Sequence, residues 1–274
     1  MEISEREDSV VWDRDLGPIL GPEHLPRAFK SDAYLQDFYT KIEDPAMYVV
    51  LNFLPSLVVR LPENTKKVLD IASGPTIHVA VCFRHKAHEV YLSDYLPQNR
   101  IELLRWVKQQ SQFDWRPVLK RIAIQECLDP PKVMNQMETD ARRKVKGIMK
   151  CDFHQKQVIP DVKKLQGGFD VVTTFYSVEY ASTSEQQYQQ AIANICGLLK
   201  PGGFLIMAGV QEETWCEFGG NKFSCLYLTE ELIMQSLEAA GINTKDNFYY
   251  INMNGVFMVC GQKRNFSPPH FLKP

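Results

Sequence analysis

Apolar residues along the chain follow two rhythms. Short runs rich in Val, Ile, Leu and Phe, each stopped by Gly, Pro or an acid, read as strands at 68–71, 90–93, 148–152, 169–175, 204–208, 248–251 and 255–260. Between them, apolar positions recur every three or four residues. These stretches predict helices over 47–61, halted by Pro62, over 77–85, over 97–107 with Ile101, Leu104 and Val107 on one face, over 184–199, and over 229–240, closed by Gly241. Such alternation predicts an α/β fold: a mostly parallel sheet, helices on both faces and a closing antiparallel strand. Tyr34, Leu35, Phe38 and Tyr39 stand at helical spacing, on a helix that either packs on the core or closes over a ligand. Gly219-Gly-Asn221 predicts a hairpin.

The punctuation after the first of these strands carries the chemistry. In Val68-Leu-Asp-Ile-Ala-Ser-Gly-Pro-Thr76 an apolar strand ends in an acid, a tight turn and a helix start. Gly74 permits the turn and Pro75 suits a first helical position. Backbone N–H groups freed there face a ligand beyond the strand's carboxyl end, where doubly wound sheets bind nucleotides. The run 72–78 holds one glycine, short of the G-x-G-x-x-G dinucleotide fingerprint. Asp94, closing the next strand, sits where a carboxylate bonds ribose hydroxyls. Asp152 either accepts the adenine amino group's hydrogen or caps a turn. The pattern favours S-adenosylmethionine over a nicotinamide dinucleotide.

Composition narrows the partners. A net charge of −2 gives no general attraction to nucleic acid or acidic membranes. Arg142, Arg143, Lys144 and Lys146 are answered by Glu138 and Asp140, the mark of a solvated helix face. His85 and His88 have metal-like spacing without a third ligand nearby, so no metal is expected. The 7 cysteines lack any C-x-x-C pair, which predicts free thiols and a cytoplasmic protein. The acidic N-terminus has no apolar core for a signal peptide, and no stretch is long enough to span a bilayer. The expected organisation is a loose arm over 1–30 and one domain over 31–264, with a tail over 265–274. The domain begins with cap helices over 31–62 and carries a charged insertion over 116–150. A monomer is expected.

Together these residues resemble the family of nicotinamide, phenylethanolamine and indolethylamine N-methyltransferases. The resemblance rests on Tyr34-Leu-x-x-Phe-Tyr39, Asp70-Ile-Ala-Ser-Gly-Pro-Thr-Ile77, Ser93-Asp-Tyr-x-x-Gln-Asn99, Phe113-Asp-Trp115, Lys150-Cys-Asp152, Leu199-Lys-Pro-Gly-Gly-Phe204 and Lys222-Phe-Ser224. It implies a Rossmann-like class I methyltransferase with a doubly wound, seven-stranded sheet and one antiparallel strand. By that resemblance Tyr34 and Tyr39 close over the methionine end of S-adenosylmethionine and wall the acceptor pocket. Ala72, Ser73 and Gly74 line the cofactor, as do His78, Tyr95 and Phe175. Asp94 holds the ribose with Asn99 beside it. Asp152 takes the adenine amino group, with the Phe153 backbone adjacent. Ala72 departs from a usual glycine, His78 from a tyrosine and Phe175 from a small polar residue.

The acceptor divides the family. The nicotinamide enzymes carry an aspartate where this chain has Gly209 and a serine where it has Cys225. The phenylethanolamine enzymes use two glutamates, matched by Glu179 and Glu213. An alkyl amine arrives protonated, with a pKa of roughly 10 as for Lys, and a carboxylate can bind it and take its proton. A pyridine nitrogen needs no base. The expectation is therefore N-methylation of a small aryl-alkyl amine between aromatic walls that include Tyr34, Tyr39, Phe175 and Tyr176, with Glu179 and Glu213 as the catalytic carboxylates that bind and help deprotonate it. A pyridine acceptor such as nicotinamide, a cofactor-binding protein without turnover and a dehydrogenase are the other readings.

Overall fold

The computed structural model describes residues 10–13, 17–160 and 167–265. The expected alternation organises it. Strands β3 (Lys67–Ile71), β4 (Glu89–Asp94), β5 (Val145–Lys150), β6 (Phe169–Phe175) and β7 (Leu199–Val210) run parallel in the order β5-β4-β3-β6-β7. Strand β12 (Val256–Lys263) joins β7 antiparallel, and β11 (Tyr249–Met253) and the two-residue β10 (Ile242–Asn243) pair with β12. One short strand, β10, thus adds to the seven expected.

Both faces of this sheet are covered, which explains its near-continuous apolar strands. Val68 and Val171 point into a core shared with α3 (Pro45–Arg60), α4 (His78–Cys82), α6 (Arg116–Gln125) and α7 (Pro130–Lys144). Their neighbours Leu69 and Val172 point into the opposite core, against α9 (Glu185–Gly197) and α10 (Glu230–Ala239). The change of face with each residue is the period of two of a pleated strand. Asp44, Ser184 and Thr229 cap α3, α9 and α10 with their side chains, satisfying amides that the first helical turn leaves free. Among the described residues no helix is long and apolar enough to cross a membrane.

Two expectations change. Helix α4 is shorter than 77–85, ending at Cys82. Part of the arm expected to be loose over 1–30 is built into regular structure. Strand β2 (Gly17–Leu20) leads into a 3-10 turn (Pro22–His24), α1 (Leu25–Ala28) and α2 (Ser31–Tyr39). The cause is a second sheet. β2 pairs antiparallel with β1 (Val10–Asp13) and parallel with β9 (Asn221–Ser224), whose hairpin partner is β8 (Trp215–Phe218). Ile19 and Leu20 find their partners at Lys222 and Phe223, and the Gly219 amide donates to Asp37 at 2.7 Å. Residues 1–9 and 14–16 of the expected arm and 266–274 of the expected tail lie outside the described residues.

Candidate active site

The turn after β3 is built from its own polar groups. Ala72 and Gly74 take left-handed φ of 54° and 61°. Ser93 Oγ donates to the Asp70 carbonyl at 2.8 Å, and the Gly74 amide donates to Asp94 at 2.8 Å. Asp94 also accepts from the Leu96 amide at 2.8 Å and from Asn99 Nδ2 at 3.2 Å. Burial pushes its pKa up, against those bonds and the nearby Arg100.

A cavity of about 500 Å³ opens beyond the carboxyl ends of β3, β4, β6 and β7. Its wall brings together twelve predicted cofactor residues, Tyr34, Tyr39, Ala72, Ser73, Gly74, His78, Asp94, Tyr95, Asn99, Asp152, Phe153 and Phe175. Tyr176 and Glu213 line it as well. Phe29 and Tyr34 roof it by packing on Phe218, with ring centroids 5.1 and 5.4 Å away. Asp152 lies in the loop past β5 and accepts from the His154 amide at 3.1 Å.

Buried groups give the cavity its chemistry. Both ring nitrogens of His78 are buried without a partner among the described residues, while the ring stacks on Tyr39 at 6.1 Å. Burial pushes its pKa down to about 3, so the imidazole is neutral. Asp70, one of whose oxygens accepts from Thr173 at 2.6 Å, leaves the other unpartnered. Burial raises its pKa to about 7. A donor and an acceptor left open in one cavity suit a zwitterion such as the methionine end of S-adenosylmethionine. Among the described residues no Lys or Arg lines the wall, whereas Glu23, Asp44, Asp70, Asp94, Asp152 and Glu213 do. That field favours cationic ligands and disfavours anionic ones.

Three predicted acceptor-site residues stand elsewhere. Glu179, Gly209 and Cys225 are buried behind the wall, not in it. The Val210 amide donates to Glu179 Oε1 at 3.1 Å and holds the carboxyl inward, in space that Gly209 leaves free. Burial raises the Glu179 pKa to about 7, with Glu213 adding to the rise. Glu213 sits at the rim, exposed on one side. Its pKa is raised by partial burial and then by the charge of Asp44. Sequence reasoning did not single out Asp44, Cys216 or Phe218, and it gave Asp70 no role beyond closing the strand before the turn. Asp70 was legible as the acid closing β3, and Asp44 only as a helix cap before Pro45.

The family model described as NNMT/PNMT/TEMT family matches residues 17–264. The chain is 33% identical to the nicotinamide N-methyltransferase of Caenorhabditis elegans over 94% of its own length and 96% of that protein's. It is 27% identical to the phenylethanolamine N-methyltransferase of Rattus norvegicus, covering 72% of each. The structure of an S-adenosylmethionine-dependent methyltransferase from Clostridium acetobutylicum superposes with a TM-score of 0.57. It is 11% identical, covering 85% of this chain and 98% of that one.

Proposed function

Because this chain belongs to the NNMT/PNMT/TEMT family and is an S-adenosylmethionine-dependent N-methyltransferase, we propose that its acceptor is a small aryl-alkyl amine held between aromatic walls and Glu213. When bound, S-adenosylmethionine supplies an electrophilic sulfonium methyl group. The chain's own residues do the rest. Asp94 and Asn99 hold the ribose, Asp152 the adenine amino group, and His78 donates to the methionine carboxylate. Tyr34 and Tyr39 cover that end and exclude water. Glu213 binds the acceptor ammonium and takes one proton from it, the N–H bond breaking as an O–H bond forms on the carboxylate. Its raised pKa suits it to this exchange. Glu179 acts from behind as a positioning residue, fixing the wall through the Val210 amide.

The observation that carries this reading is the acid just past β7, with a second acid buried behind the wall there. Glu213 lines the cavity and Glu179 fills the space beside Gly209. A pyridine acceptor is the second reading, favoured by the identity to the Caenorhabditis elegans nicotinamide enzyme. Incubation with methyl-labelled S-adenosylmethionine and a panel of tyramine, phenylethanolamine, tryptamine, nicotinamide and quinoline separates the two. Label on the alkyl amines is expected. Glu213→Gln should lower amine kcat/KM by about 10²-fold, the usual range for a lost general base. Label on the pyridines alone overturns the amine reading.

A further inference from the structure

We infer that Asp44 is a specificity-determining residue that accepts a hydrogen bond from the acceptor ammonium opposite Glu213, making the pocket select protonated amines over neutral acceptors. This inference rests on the amine reading above.

Asp44 belongs to the same cavity wall as Glu213 but arrives from the loop before α3. Only one of its oxygens is committed. Oδ1 accepts from the Ala46 amide at 2.8 Å and the Met47 amide at 3.4 Å, while Oδ2 accepts no bond among the described residues. The Glu213 side chain carries neither a hydrogen bond nor an ion pair among them. Two carboxylates with open oxygens therefore line one cavity, and among the described residues no Lys or Arg lies in the wall to neutralise them. The charge of Asp44 acts on Glu213, Tyr34, Tyr176 and Cys216, which places it among the acceptor-end groups. Its turn is also fixed in space, because the Tyr176 hydroxyl donates to the Ala46 carbonyl at 2.5 Å. Tyr176 in turn holds a left-handed φ of 48°, a strained conformation for an aromatic residue.

The chemistry of an ammonium explains why two acceptors are wanted. Three N–H bonds surround the nitrogen of a primary alkylammonium. One proton must leave before the nitrogen can attack, and the lone pair it frees must then point at the methyl group. Glu213 takes that proton. Asp44, accepting one remaining N–H, fixes rotation about the C–N bond so that the lone pair is aimed. A neutral pyridine has no N–H to offer, and its lone pair is already fixed by the ring.

The test uses Asp44→Asn, because asparagine caps helices about as well as aspartate and removes only the charge. Thermal melting checks that the fold persists. Calorimetry in the presence of S-adenosylhomocysteine then measures affinity for tyramine and for quinoline, with kcat and KM taken alongside. Tyramine affinity should fall by about 10-fold or more, as for a lost charge-assisted hydrogen bond, with quinoline affinity within about twofold of the parent, below the threshold of even a neutral bond. Unchanged tyramine affinity, or equal losses for both ligands, overturns the inference. If the parent protein itself neither binds nor methylates tyramine, the amine reading fails, and the inference fails with it.

Discussion

A Cβ on Gly209 would stand 2.8 Å from Glu179 Oε1 and 2.8 Å from Phe257 Cε1, so the missing side chain of one residue is the seat of the other's carboxyl. Neither a methyl nor a carboxylate fits at 209 unless Glu179 or Phe257 moves. Gly209→Ala should cost about 1–3 kcal/mol of stability, the usual range for overpacking. Gly209→Asp should cost more, since it sets a second carboxylate against a buried one. Urea denaturation measures both. A fully stable Gly209→Asp protein would show that the space is not shared.

Glu179 makes stability depend on pH. Its folded pKa of about 7 lies above the ordinary carboxyl value of 4.5. Below the unfolded value both states hold the proton and nothing is lost. Between the two values only the folded state keeps it, so stability falls as pH rises and levels off above the folded pKa. Glu179→Gln keeps an oxygen for the Val210 amide and removes the charge. It should match the parent protein near pH 4 and exceed it near pH 8 by on the order of 1–3 kcal/mol. Equal stabilities at pH 8 would show that the carboxyl carries no such penalty.

His78 offers a cofactor contact that phenylalanine cannot make. His78→Phe keeps the ring stacked on Tyr39 and loses the donor. Affinity for S-adenosylmethionine should weaken about tenfold, as for one net hydrogen bond. His78→Tyr should retain it. Because burial holds the imidazole neutral, with a pKa near 3, the loss of affinity on His78→Phe should be the same at pH 6 and at pH 7. Calorimetry across pH reads all three, and a His78→Phe affinity equal to that of the parent refutes the contact.

Ala72 carries a backbone strain that glycine would not. At φ 54° a Cβ meets the neighbouring carbonyl, at a cost of about 1–2 kcal/mol per residue. Ala72→Gly should therefore raise stability by up to about 1 kcal/mol, the rest being offset by the glycine's greater chain entropy. A drop in urea midpoint would mean that the alanine methyl packs usefully in the turn.

Much of this molecule was legible from local chemistry. The strand–turn–helix around Gly74, the acids Asp94 and Asp152 and the Lys200-Pro-Gly-Gly203 approach to β7 each depend on a few adjacent residues. Period, turn preference and charge suffice to read them. They determined the fold class and pointed to Ser73, Gly74, Asp94 and Asp152, which line the cavity, while the family resemblance named the other predicted wall residues. What the tertiary structure decided involves residues far apart. β2 joins β9 across most of the chain, which orders residues expected to be loose. Asp44 reaches the cavity because its turn is bonded to Tyr176, 130 residues away. Glu179 turns away from the cavity because the Val210 amide and the space at Gly209 compete for its carboxyl more effectively than solvent does. Sequence names the acids near a site. Which of them faces the ligand is set by backbone donors and free volume that exist only once distant segments have packed.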